Sequence, residues 1–170
     1  MDRSADVVTD AAKEASIDSA ADVVSDVPIE KAPATASWSV GAAAMCTAAG
    51  AGCMDLGAVG GYQIVASGSC AGASSLQLWF PGGASPIAAG AYAVKAATGI
   101  LDVVAMPAGM VGVSVTRDDA TAGHLQYWGR AGTVTVAAAG AGRRVTFSSV
   151  SLKEQTSGAT STLGADVTCP

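Results

Sequence analysis

Four cysteines, one histidine, three tryptophans and one pair of adjacent acids are the residues in this chain whose types could do chemistry. Cys46, Cys53, Cys70 and Cys169 can bind a metal as thiolates or pair as disulfides. A structural zinc site wants closely paired ligands of the Cys-x₂-Cys kind. Here six residues separate Cys46 from Cys53, while Cys70 and Cys169 stand alone, so disulfides are expected and no metal. Four cysteines allow three pairings. We expect Cys46–Cys53 as a local staple and Cys70–Cys169 as a long link from an early strand to the last one.

His124 is the single histidine. Triads and two-histidine metal sites need more partners than one histidine and scattered acids supply, and no Gly-x-Ser-x-Gly nucleophile context is present. His124 is therefore expected to start a strand beside a turn, and the chain is expected to be no enzyme. Asp118-Asp119 could suggest calcium, but adjacent strand residues point to opposite faces and the spaced oxygen ligands of calcium loops are missing. Turn chemistry is the better reading of Arg117–Gly123. Neither Gly82-Gly83 nor Gly140-Ala141-Gly142 leads into a helix with Lys-Ser or Lys-Thr, so no phosphate cradle is expected and no cofactor. Arg143-Arg144 reads as a solvated hairpin edge.

The tryptophans carry the functional alternative. If Leu76, Leu78 and Phe80 face a core, Trp79 faces out, and if Leu125 and Tyr127 face in, Trp128 faces out. Two outward rings, Trp79 and Trp128, could form a stacking platform for sugars. Against that stands burial of both rings by a second layer, such as the Met45–Gly61 segment, or by closure of the sheet.

These residues must be held by strands. The stretch 127–150 alternates Val134 and Val136 with Thr133 and Thr135, then resumes with Val145 and Phe147 against Arg144 and Thr146. Two β-branched runs of period two around a Gly-bearing connection predict an antiparallel hairpin with one apolar face. Further strands are predicted at Ser37–Ala42, Tyr62–Ser67 and Ser75–Phe80, and around Tyr92 and Val94. Val111, Val113 and Val115 mark another, and Leu163, Ala165, Val167 and Cys169 the last. Met45–Gly61 reads as a Gly/Ala loop, and 100–106 as an apolar run of undecided type. Eight or nine short strands with turn signals between them, and no convincing 3.6-residue period, predict an all-β antiparallel β-sandwich or partly closed barrel over residues 37–170.

Residues 1–36 differ in kind. Acids recur at every fourth residue from Asp2 to Glu30, eight in all against three bases, so this segment carries the whole net charge of −5. Like charges four apart oppose a helix, and no wide apolar stripe compensates. A disordered acidic tether is expected, left at Pro28 and Pro33. The remainder balances six acids with six bases, which argues against a nucleic-acid partner. No run of eighteen apolar residues could span a membrane as a helix. Met1-Asp2-Arg3 leads straight into acidic sequence without a leader pattern, so either the protein stays inside or a leader lies outside this chain; the cysteines favour the second.

The succession Pro86, Gly90-Ala-Tyr92-Ala-Val94, Tyr127, Gly129, Gly132-Thr-Val-Thr-Val136 and Arg144-Val-Thr-Phe147-Ser, closing with Gly164 and Cys169, resembles the small all-β domains of uncharacterised bacterial envelope lipoproteins. The acidic, Ala/Ser/Val-rich lead-in resembles the spacer such proteins carry after their lipidated cysteine. The resemblance implies a secreted or envelope-anchored structural or protein-binding module without known activity. Its partner would be a protein or glycan at the cell surface.

Overall fold

The computed structural model describes residues 33–56, 61–82 and 87–170. The tether expected over 1–36 lies outside the described residues up to 32. Among the described residues, alternating apolar and small polar residues build nine strands, and their inward side chains make one core. β1 (Thr35–Val40) contributes Trp38 and Val40 to it. From β3 (Gly61–Ser69) and β4 (Ala73–Pro81) come Tyr62, Ile64, Leu76, Leu78 and Phe80. β6 (Met110–Asp119) contributes Val111, Val113 and Val115, and β9 (Thr160–Cys169) contributes Leu163, Val167 and Cys169. Trp38 lies within this core with no exposed surface. Its indole N–H donates to Ser74 Oγ at 3.0 Å, and Ser74 donates onward to the Thr116 carbonyl at 2.8 Å. Both buried polar groups are thereby satisfied.

The strands follow one another around a ring in the order β1, β2 (Cys46–Asp55), β3, β4, β6, β5 (Gly90–Val94), β7 (Gly123–Ala139), β8 (Gly142–Glu154), β9, and β9 pairs back with β1 over six positions. The expected all-β antiparallel architecture is thus realised as a sheet closed on itself, which removes most of the free edge an open sheet would present. The ring is uneven. β1 and β2 are registered at two positions only, Ser37 with Thr47 and Trp38 with Cys46. β5 wedges between β6 and the 17-residue β7, which pairs with β6 through its first half and with β5 through its second. β5 and β6 are parallel, the one such pairing among the described strands.

The predicted hairpin forms between β7 and β8, with Val134 opposite Phe147 and Val136 opposite Val145. Gly140 takes φ 59°, the left-handed value that a two-residue hairpin turn needs at its first position. Phe147 is only half-buried, because the β8–β9 register slips between Thr146 and Val150 and Ser149 adopts φ 52°. Two boundaries differ from expectation. β1 begins at Thr35, so Thr35 and Ala36 belong to the sheet and Ala36 is buried. The segment expected as a Gly/Ala loop is strand β2, laddered to β3 from Thr47 to Asp55. Its side chains have little intrinsic strand preference; backbone pairing and two disulfides hold it instead.

Candidate functional site

Strand alternation sends Trp79 and Trp128 out of the sheet on the face opposite the core, as expected. Across β4–β6 Trp79 is paired with Gly112, and across β6–β7 Trp128 is paired with Ser114. These two small residues leave room above β6 for the rings to meet, with centroids 6.3 Å apart and planes 18° from parallel. The open platform does not form. Parallel neighbours need a crossover from one end of the sheet to the other. The β5–β6 crossover, with the short helix α1 (Ile100–Val104), lies on this outer face. Ala97, Val103 and Met106 pack with Trp128 in a second small core, which leaves that ring 6% exposed, while Trp79 and Met110 are half-buried at its margin. Gly112 makes the approach possible: a Cβ there would fall 2.5 Å from Val103 Cγ1. The layer that covers the tryptophans is thus this crossover and not the described residues of the Met45–Gly61 segment.

The crossover is tied down at its start. Lys95 N–H donates to the Val111 carbonyl at 2.9 Å, and Ala97 N–H to the Gly129 carbonyl at 3.1 Å. Asp102 accepts from the backbone N–H and hydroxyl of Thr98 at 2.7 and 2.9 Å, and these two bonds hold its carboxyl below the usual aspartate value.

Beside Trp128 the crossover, β7 and the end of β8 enclose a cleft of about 150 Å³. Ala97 and Thr98 form one wall; Trp128 and Arg130 of β7, with Lys153, Glu154 and Gln155, form the other. The positions follow from register. Trp128 is paired with Lys153 across β7–β8, and Arg130 lies two residues beyond Trp128. Arg130 Nη1 donates to the Ala97 carbonyl at 3.1 Å, and Trp128 Nε1 donates a long bond, 3.4 Å, to Gln155 Oε1. Glu154 is buried, at 3% exposure. Its Oε1 accepts from Thr156 N–H at 2.8 Å and its Oε2 accepts from Ser157 N–H. Hydrogen bonds from the Ser157 side chain first, then from the Thr156 and Ser157 backbone, hold its carboxyl down to about 2. Glu154 thus fastens the β8–β9 turn, and the cations keep the cleft positive. Of these lining residues the sequence alone points only to Trp128. Period-two alternation could have found Arg130, but Lys153 and Gln155 depend on a register that shifts between Gly129 and Ala131.

A second, more open groove of about 380 Å³ lies over β1, β8 and β9, lined by Thr35, Ser37, Thr168, Arg144 and Asp166. Arg144 spends its guanidinium on Asp166, with Nε 3.1 Å from both carboxylate oxygens. Arg143 is not the solvated residue expected: half-buried, it donates from Nε to the Ile87 carbonyl at 2.8 Å and from Nη1 to the Gly142 carbonyl at 3.0 Å.

All four cysteines are paired, but as Cys46–Cys70 and Cys53–Cys169, with Cα separations of 4.6 and 5.9 Å. The expected Cys46–Cys53 and Cys70–Cys169 pairs fail because the segment holding the first two is a strand. Seven residues along a strand span about 23 Å, far beyond disulfide reach. β2–β3 pairing instead brings Cys46 beside Cys70, just past the end of β3. His124 stands at the start of β7, as expected, with Nδ1 2.8 Å from Asp118 Oδ1 on an exposed surface. Asp119 Oδ1 accepts from Thr121 and Ala122 N–H at 2.9 Å each, and its Oδ2 pairs with Arg117 at 2.9 Å, which is turn chemistry. Among the described residues no group of three or more His, Cys, Asp and Glu gathers in a metal-binding arrangement, and no helix is long and apolar enough to cross a membrane. Compared with protein-family models, with curated proteins and with solved structures, the chain matches none.

Proposed function

We propose that this chain is a non-enzymatic binding or structural module that works outside the cytoplasm, secreted or held at the cell envelope. The observation that carries the reading is the pairing of all four cysteines. One crosslink joins the ends of β2 and β3, and the other joins β2 to the final strand across a separation of 116 residues. Structural disulfides persist in oxidising compartments and are rare where thiols are kept reduced. The resemblance to envelope lipoprotein domains supports the same location, and the ring-closed sheet with its clefts on the outer face supports a scaffold that presents a surface. In the test, protein is recovered from its own cells after acid quenching, thiols are alkylated, and the peptides are mapped without reductant. The expected result is no alkylated cysteine and the two crosslinks Cys46–Cys70 and Cys53–Cys169. Four free thiols in the cell would overturn the proposal.

A further inference from the structure

We propose that the cleft between the β5–β6 crossover and strands β7 and β8 binds the carboxylate-bearing end group of a small acidic sugar. This rests on the reading of the chain as a binding module, and it names the ligand class of one site on it. The sign of the charge comes first. Arg130 and Lys153 bring two cations to the cleft against one acid, Glu154. Both oxygens of that acid already accept backbone N–H groups of the β8–β9 turn, so it is not offered to a cationic ligand. Arg130 is anchored through Nη1 to the Ala97 carbonyl, which fixes the guanidinium beside the opening and leaves further N–H groups to donate. A planar guanidinium with a nearby ammonium suits a carboxylate.

The rest of the lining decides what carries that carboxylate. Trp128 and Ala97, both largely covered by the crossover packing, supply a narrow apolar rim that the C–H edge of a ring could meet. Gln155 accepts from the Trp128 indole through Oε1, so its amide N–H₂ remains to donate, while Thr98, whose hydroxyl already donates to Asp102, adds an acceptor oxygen. Hydroxyl groups on a ring would find both. Size sets the remaining limit: about 150 Å³ is well below the roughly 300–1,000 Å³ of clefts that engulf whole drug-sized ligands. The site therefore fits one terminal ring and not a chain threaded through it.

The test is a titration of the folded, oxidised chain followed by ¹H–¹⁵N NMR, with sodium glucuronate and with glucose at matched ionic strength. The two probes differ at the carboxylate. Glucuronate is expected to give saturable shifts at the Trp128 indole N–H and the Gln155 amide, and glucose shifts at least about tenfold weaker. Arg130→Gln and Lys153→Gln should each weaken glucuronate binding by about tenfold or more. Lys153→Gln is the safer variant, because Arg130 also holds the crossover. Equal binding of both sugars, saturation by neither, shifts confined to the Arg144–Asp166 groove, or full affinity in folded Lys153→Gln would each overturn the proposal. Failure here leaves the disulfides untouched, whereas free thiols in the cell would leave the cleft untouched.

Discussion

Substituting Gly112 by Ala sets two opposing effects against each other. Glycine inside a strand is less favourable than alanine by roughly 0.5–1 kcal/mol, so at an uncrowded position the change should stabilise. At Gly112 the new Cβ would lie 2.5, 2.9 and 3.2 Å from Cγ1, Cγ2 and Cβ of Val103. Val103 is β-branched and 2% exposed, so it cannot rotate out of the way. Overpacking of this kind costs about 1–3 kcal/mol, which exceeds the glycine gain. Net destabilisation of about 1–2 kcal/mol is expected by urea unfolding at unchanged m value. The crossover should also lift, so tryptophan fluorescence should become more open to acrylamide. Val103→Ala removes both clashing methyls at a cost of about 1.5 kcal/mol by itself. Combined with Gly112→Ala it should cost at least about 1 kcal/mol less than the sum of the two singles. Gly50→Ala is the control: nothing lies within 4 Å of its Cβ position, and it should be neutral or slightly stabilising. Strict additivity of the Gly112 and Val103 changes, or a neutral Gly112→Ala, would refute the packing of the crossover on β6.

The two disulfides should differ in worth. Closure entropy grows with the logarithm of loop length, so the crosslink at separation 116 should exceed that at separation 24 by about 1.4 kcal/mol. Urea unfolding of the Cys53→Ala/Cys169→Ala and Cys46→Ala/Cys70→Ala pairs checks this, and the reverse order would contradict it. Glu154 gives a pH dependence of known sign. Its folded value of about 2 lies below the ordinary 4.5, so its contribution is complete above pH 4.5 and is lost as pH falls towards 2. The stability gap between the native chain and Glu154→Gln should therefore narrow on acidification through that window. Asp102 and Asp119, which are also lowered, titrate in both proteins and cancel from the comparison. A gap that stays constant or widens would argue against the hydrogen bonds assigned to this carboxylate.

Period-two alternation was enough to orient most of the chain. Val134, Val136, Val145 and Leu78 are buried where the pattern placed them, and Thr135 is exposed. It failed where side chains do not decide. β2 is written in Gly and Ala, whose strand character comes from a partner's backbone, so its sequence reads as a loop, and the cysteine pairing that a loop implies is not the one formed. The outward direction of Trp79 and Trp128 was legible, but their cover was not: the fifteen-residue crossover betrays itself only through parallel β5–β6 pairing and the small residue at 112. The cleft was hidden for a related reason. Trp128, Lys153 and Gln155 meet through a strand pairing with two register shifts, and no local spacing encodes it.

The seam at β1 bears on the order in which the ring can assemble. β1 has six registered positions with β9 and only two with β2. As the chain emerges from the N-terminal side, β2, β3 and β4 can already zip into a meander of sequence neighbours, while β1 waits with most of its ladder unmade. Its partner is the stretch Thr160–Cys169, which also brings the thiol for Cys53. Ring closure and the long crosslink are therefore late, non-local events that share one trigger, the arrival of β9. Until then the first strand keeps an exposed edge and Trp38 lacks its full enclosure, so an incompletely synthesised or truncated chain would be both open and sticky.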